Sequence, residues 1–371
     1  MKSKVYFVAV GNLDSLPVVK KKLTRLLARS RILDFINPFF ARWGLFGGLK
    51  HTCVVKMHFG EEGNTGFVRP EYVRTVIDSL IKRKVRPFLC DTNTLYKGRR
   101  TNSGDHLLLA YEHGFDIDSV GVGVIIPDEK IPGSVQDVDI AGKFIKKAKV
   151  AKVFLEADIL IGVAHFKGHL MTGFGGALKN IGMGCASREG KLAQHSDFAP
   201  HVISDKCVGC AGCVEVCPVS AITIKENKSH IDNDICIGCA TCIAACPYYA
   251  IEVEWDAGGQ TLQEKMVEYA KAVLQKKRKS SAFINFAINI TKECDCFAKN
   301  DPRICPDIGI LASRDPVSLD KASLDLVNKA CGKDIFRELH PRRDGLKQLE
   351  YAAALGLGNL DYQLIEIDMR G

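Results

Sequence analysis

Eight of the fifteen cysteines in this chain fall into two tetrads of identical spacing. Residues 207–218 read CVGCAGCVEVCP and residues 236–247 read CIGCATCIAACP, each a C-x2-C-x2-C-x3-C-P run. Three thiolates that close in sequence can wrap three corners of an iron–sulfur cubane, while the fourth is carried away to a second cubane. Cys207, Cys210, Cys213 and Cys246 are therefore expected to hold one [4Fe–4S] cluster, and Cys236, Cys239, Cys242 and Cys217 the other. Structural zinc uses pairs of CxxC rather than this doubled run.

Further residues with chemical potential lie outside the tetrads. The stretch HFKGHLMTGFGGALKN carries His165, His169 and Lys179, and Cys185 and His195 follow on what reads as an irregular segment. Its glycines suggest a phosphate loop, but Lys179 is followed by Asn180 where a phosphate loop needs Ser or Thr. Gly173, Gly175 and Gly176 are instead expected to let some other cofactor or substrate lie against the backbone, because glycine permits close approach. Lys179 falls in the first turns of a helix, whose positive end would attract an anion and lower the lysine's pKa if it is desolvated. Solvated surface groups are the simpler account of these side chains. Convergence favours a site: Lys56 and His58 in VVKMHFGEEGN, and Asp91 and Asn93 in LCDTNT, sit at the ends of other apolar runs.

A fourth stretch, TKECDCFAKNDPRICPDIGILAS, places Cys294 and Cys296 two residues apart, on one side if strand geometry persists. With Asp295, Asp301, Cys305 and Asp307 nearby, the pair could bind a soft metal, act as a redox dithiol or meet a cluster. Cys53, Cys90 and Cys331 lie in apolar contexts and read as packing residues.

The elements that would position these groups alternate between strand and helix. Strands are expected over 52–60, 85–91, 157–166, 282–290 and 308–313, and helices over 70–84, 105–114, 262–279 and 315–330. Such alternation predicts a mainly parallel sheet with helices on both faces. Ligands of such sheets bind beyond the carboxyl ends of the strands, so the loops after 52–58, 85–91 and 158–164 should meet. The alternation stops near residue 204 and resumes near 261. Residues 204–256, with the spacing of bacterial two-cluster ferredoxins, thus read as a small α+β ferredoxin-like domain inserted between α/β parts at 1–203 and 257–371.

The composition, 46% hydrophobic and 25% charged, is that of an ordinary globular chain. The opening MKSKVYFVAVGNLD has too short an apolar run for a signal-peptide core and reads as a first strand. No run approaches a membrane span, so a soluble, cytoplasmic protein is expected. The formal charge is +8, and two oxidised clusters with their thiolates, about −2 each, would bring it to roughly +4. The basic runs KKKLTRLLARSR and KKRK lack interleaved stacking aromatics, which argues against nucleic acid. They read as solvated helix faces, or as a patch for an acidic redox partner protein.

Taken together, VKMHFGEEGNTG, CDTNTLYKGRRTNSGDH, HFKGHLMTGFGGALKN, CDCFAKNDPRICPDIGILASRDPVSLDKASLDLVN and the cysteine block resemble the uncharacterised iron–sulfur centre proteins, a family described only as a domain of unknown function. That resemblance covers most of residues 50–332 and implies redox or anaerobic metabolism without naming a reaction. A shorter resemblance links the order His169, Gly173, Gly176, Lys179, His195 to lactate racemase-type nickel-pincer enzymes. It implies a proton-transfer role for His169, a cofactor anchor at Lys179 and a metal ligand at His195. The resulting expectation is an iron–sulfur oxidoreductase in which the cysteine block feeds electrons to a site of Lys56, His58, His169, Lys179, His195, Cys294 and Cys296. A small anionic substrate suits its lysines, and an additional metal or small-molecule cofactor is open. The alternatives are an electron carrier that docks a partner enzyme, and a metal- or pincer-type enzyme.

Overall fold

The computed structural model describes residues 2–36, 51–96, 98–195, 200–253 and 261–369. Eight strands form one sheet: β1 (Ser3–Ala9), β2 (Thr52–Lys56), β3 (Arg86–Cys90), β4 (Val124–Ile125), β5 (Ile159–His165), β6 (Ser281–Ala287), β7 (Gly309–Ser313) and β8 (Tyr362–Glu366). Their spatial order is β8-β1-β7-β6-β5-β2-β3-β4. Strand β7 runs antiparallel to both its neighbours, and every other pairing in the sheet is parallel. The mainly parallel α/β architecture read from the sequence is therefore present.

Strands buried on both faces read as continuous apolar runs rather than as alternation. β5 and β6 show this. Ile159, Ile161 and Val163 join Ala282, Ile284 and Phe286 in one core, while Leu160 and Phe283 point into the other. Helices α1 (Leu16–Arg29), α2 (Pro70–Ile81) and α3 (Ser103–Glu112) supply the first core. Helices α4 (Ala177–Gly182), α6 (Leu262–Leu274) and α7 (Pro316–Cys331) supply the second, and α5 (Arg188–His195) lies between α4 and the cysteine block. Helix starts follow local chemistry. Pro70 opens α2, and the Asp315 carboxylate caps α7 by accepting from the backbone N–H groups of Val317 and Ser318 at 2.9 and 3.0 Å.

Two features differ from expectation. Residues 167–175 form a hairpin, Lys167–His169 paired with Gly173–Gly175, which the sequence pattern did not announce. His195 is the last residue of α5, not part of an irregular segment.

The cysteine-rich block has its own small architecture. His201–Val202 pairs antiparallel with Ile251–Glu252, so the chain enters and leaves side by side. The expected boundary at 256 lies outside the described residues. A hairpin, Ile222–Lys225 with Lys228–Ile231, lies between the two tetrads. Gly209 and Ala211 are left-handed in the first tetrad, as are Gly238 and Ala240 in the second. A left-handed alanine costs about 1–2 kcal/mol. The same cost at the same step of both repeats identifies one loop conformation used twice.

Candidate functional site

A cavity of about 530 Å³ opens at the carboxyl edge of β2, β3 and β5. Lys56, His58, His169, Lys179, His195, Cys294 and Cys296 all line it, and so do Gly175 and Gly176. β2 ends on Lys56 and carries His58 two residues further, β3 ends just before Asp91, and β5 runs through His165 into the hairpin and then α4. The wall also contains Tyr96, Arg100, Lys167 and Lys191, which the sequence reading did not single out. Lys191 was within reach of sequence reasoning, because it precedes His195 by four residues and so shares its helix face.

Lys56 is fixed rather than free. Its ammonium lies 2.9 Å from Asp91 Oδ1 and donates to Asn180 Oδ1 and to the Met57 carbonyl, each at 3.0 Å. Burial would raise the Asp91 carboxyl, but Lys56 and His58 outweigh it and hold Asp91 well below the usual carboxylate range. His58 Nδ1 sits 3.3 Å from Asp91 Oδ2 and 3.2 Å from Arg100 Nη1, and its buried Nε2 has no hydrogen-bond partner among the described residues. Gly184 makes room for this arrangement, because a Cβ there would press on Lys56 Nζ and on the Asn180 carbonyl oxygen. Gly184→Ala is expected to cost about 1–3 kcal/mol in urea denaturation, as overpacking does.

Burial, then Lys167, Lys56 and Arg100, push the Lys179 ammonium down to about 7. No ion pair holds it among the described residues. Burial and then Lys179 push His195 down to about 3 and His169 well below its ordinary value. The cavity's charge therefore comes from its lysines and Arg100. These five cationic side chains outnumber the carboxylates, even counting Asp295 and Glu61 behind the wall.

His169 has a defined tautomer. Its Nδ1 accepts from the backbone N–H groups of Met171 and Thr172 at 3.1 and 3.2 Å. A backbone N–H can only donate, so the ring proton belongs on Nε2. A ring held in this way donates a hydrogen bond. With Nδ1 so engaged, the position left for His169 to act from is Nε2.

The segment around Cys294 and Cys296 is equally ordered. The two cysteines are joined by a disulfide, with Cα atoms 5.3 Å apart. Asp295 between them points the other way, 2.9 Å from His165 Nδ1 and 3.4 Å from Lys167 Nζ. Asp301 pairs with Lys299 at 2.9 Å and Asp307 with Arg303 at 3.2 Å. The carboxylates expected around a metal are thus committed elsewhere. A ring nitrogen of His169 and the two sulfurs lie within 4.8 Å of one another, the one grouping among the described residues compact enough for a metal.

The glycines prove to be largely structural. A Cβ on Gly176 would collide with Asp320, whose buried carboxylate accepts from the N–H groups of Ala177 and Leu178 at 2.7 and 2.9 Å and from Asn285 Nδ2 at 2.7 Å. The positive end of α4, expected to attract an anion, is therefore already occupied by a protein carboxylate, which burial raises to about 6. Gly173, with φ +77°, packs against Gly345 and is not part of the cavity wall. Gly175 alone faces Lys179, whose Cδ would lie 3.2 Å from an added Cβ.

In the cysteine-rich block, Cys217, Cys236, Cys239 and Cys242 border one small apolar cavity, so Cys217 lies beside the second tetrad. Cys213 and Cys207 lie 3.2 and 3.6 Å from Ser229 Oγ. The sulfurs of Cys207, Cys217 and Cys246 each accept from a backbone N–H at 3.3 Å, and Cys210 is exposed. Cys53, Cys90 and Cys185 are fully buried, and burial pushes their thiols up, Cys185 to about 12, as packing residues require. The block's apolar cluster extends beyond it to Leu95 and Leu192. Leu95 also lines the large cavity, and Leu192 sits on α5 between Lys191 and His195.

Fold and site together define a mainly parallel α/β protein with a cationic cavity at the strand ends. Residues 53–325 match the family described as a domain of unknown function, DUF362, and the chain belongs to that family. No curated protein matches it. Among solved structures, the lactate racemase apoprotein from Thermoanaerobacterium thermosaccharolyticum is similar at 13% identity and a TM-score of 0.41, over 78% of this chain and 51% of its own. A protein from Thermotoga maritima is similar at 12% identity and a TM-score of 0.40, over 89% of this chain and 61% of its own. The chain thus spans about half to three-fifths of the length of these structures, and no role is carried over from them. No helix among the described residues is long and apolar enough to cross a membrane.

Proposed function

We propose that this chain is an iron–sulfur oxidoreductase. In this reading residues 204–256 form an inserted unit that binds two [4Fe–4S] clusters and serves the cavity of the α/β domain, where a small anion is reduced. The donor set suits the clusters. Four thiols around an apolar hollow and backbone N–H groups aimed at sulfur both favour thiolate ligation. When bound, such clusters supply electrons one at a time. The chain's own residues do the rest. Lys56 holds Asp91 and His58 in place, His169 offers an Nε2–H to a developing negative charge as a neutral imidazole can, and Lys179, poised near neutrality, moves a proton.

One observation carries this reading: Leu95 belongs at once to the cavity wall and to the apolar cluster that contains Cys207, Cys213, Cys242 and Cys246. A carrier that docks a separate enzyme needs no buried cationic cavity beside its cysteines. The test starts from anaerobically isolated protein, which should hold about eight irons and eight sulfides. Reduced with dithionite and freed of excess reagent, it should be reoxidised by a low-molecular-mass ultrafiltrate of an anaerobic cell extract. Reoxidation by the protein fraction alone would favour the carrier, and zinc in place of iron would overturn both. A second reading, a pincer-type cofactor on Lys179 with His195 as metal ligand, is favoured by their shared cavity. It requires a mass adduct on the Lys179 peptide.

A further inference from the structure

We propose that Cys294 and Cys296 form a dithiol–disulfide couple in the cavity wall that passes electrons in pairs to a small anionic disulfide. For its electron source the proposal rests on the reading above, and for its substrate it goes further. The geometry argues for redox chemistry over metal binding. A histidine that ligates a metal through one nitrogen normally donates its other N–H to an acceptor. At His169 the other nitrogen, Nδ1, faces two backbone donors instead. Ligation through Nε2 would need an anionic ring, which leaves a metal only two thiolates.

The loop is built to keep the two sulfurs together. Asp295 is anchored through its carboxylate to His165 and Lys167 and through its carbonyl oxygen to the Glu61 N–H at 2.9 Å. Tyr96 donates to the Cys296 carbonyl oxygen at 3.0 Å. The Cα separation of 5.3 Å lies within the range that a disulfide spans, so the backbone holds the pair at bridging distance. Cys294 is 4% exposed whereas Cys296 is half-buried, which divides the labour. The Cys296 thiolate attacks one sulfur of the substrate disulfide and expels the other half as a thiolate. Cys294, deprotonated, then attacks the Cys296 sulfur, releases the second half and closes the protein disulfide. Two electrons, which the proposed clusters would supply if bound at the eight cysteines of the tetrads, and two protons restore the dithiol. The excess of cationic side chains around the pair selects the anionic substrate and favours thiolates.

Trypsin isolates the couple in one peptide, residues 293–299, which contains no other cysteine. Anaerobic full-length protein, equilibrated with graded mixtures of reduced and oxidised dithiothreitol and then alkylated, should give this peptide with two alkyl groups or none. Two alkyl groups at every ratio, or a block to alkylation that a chelator removes, would overturn the couple. Treated with 5,5′-dithiobis(2-nitrobenzoate), a small anionic disulfide, Cys294→Ser should trap a mixed disulfide on Cys296. With each rate divided by that of free cysteine to remove the leaving-group difference, trapping should be at least about tenfold faster than with the dication cystamine. Equal normalised rates would overturn the anionic class. Absorbance separates the two proposals. If dithionite bleaches the clusters while peptide 293–299 stays oxidised, the couple falls and the oxidoreductase reading stands. If the couple titrates in protein that never holds iron, the cluster reading falls and the couple stands.

Discussion

Replacing Cys217 by Ser is expected to cost the protein the cluster of the other tetrad, so that about eight irons fall to about four. The four cysteines that border the small apolar hollow are Cys217, Cys236, Cys239 and Cys242, so the loss should spare Cys207, Cys210 and Cys213. Iron analysis counts the loss, and alkylation with peptide mapping locates it. Cys236, Cys239 and Cys242 should become reactive while the first tetrad stays protected. Protection lost at Cys207, Cys210 and Cys213 instead would reverse the assignment. Complete loss of iron would mean that neither cluster survives alone.

Lys179→Met should abolish turnover, by about 10²–10⁴-fold for a group that moves a proton in the rate-limiting step, while iron content stays at the wild-type level. A pH signature accompanies it. Lys179 is lowered in the folded protein from 10.5 to about 7, with burial the largest cause and neighbouring cations next. A base with a depressed pKa contributes stability that is fully present above the unfolded value and is lost as pH falls through the folded one. Wild-type stability measured against the variant should therefore decline between about 10.5 and about 7 and stay flat below. Acylation of Lys179, followed by mass spectrometry, should be half-maximal near 7, whereas surface lysines are still gaining reactivity far above that. A half-maximum near that of surface lysines would remove the case for Lys179 as the proton carrier.

Much of the frame was legible because the frame is apolar. Runs such as ILIGVAH and AFINFA declare buried strands without help from context, and turn residues mark their ends. Polar residues at three strand ends were enough to foresee a shared cavity, since a parallel sheet leaves those ends in one place. The glycine run was harder. Gly176 answers to Asp320, 144 positions later in the chain, and no local pattern announces a carboxylate arriving from another helix. The hairpin over 167–175 was hidden for a related reason, since Gly168 is pressed against the carbonyl of Lys292 on a distant loop. The direction in which His169 works lay beyond the sequence entirely, because it depends on which backbone N–H groups meet its ring.

Leu95 and Leu192 are shared between the cysteine-rich block and the surroundings of the cavity. This arrangement sets how the protein should fail in air. If the block holds the proposed clusters, metal-site stability is folding stability for so small a core, and oxidative loss of iron would release the packing around both leucines. The loop that carries Tyr96 and Arg100, and helix α5 with Lys191 and His195, would slacken first, while the sheet and its two large cores stay cooperative. An aerobic preparation should therefore keep its far-ultraviolet dichroism and melt as a folded protein, yet be cut readily by protease within residues 200–253. Spectroscopic foldedness would then be a poor guide to competence, and iron content the better one.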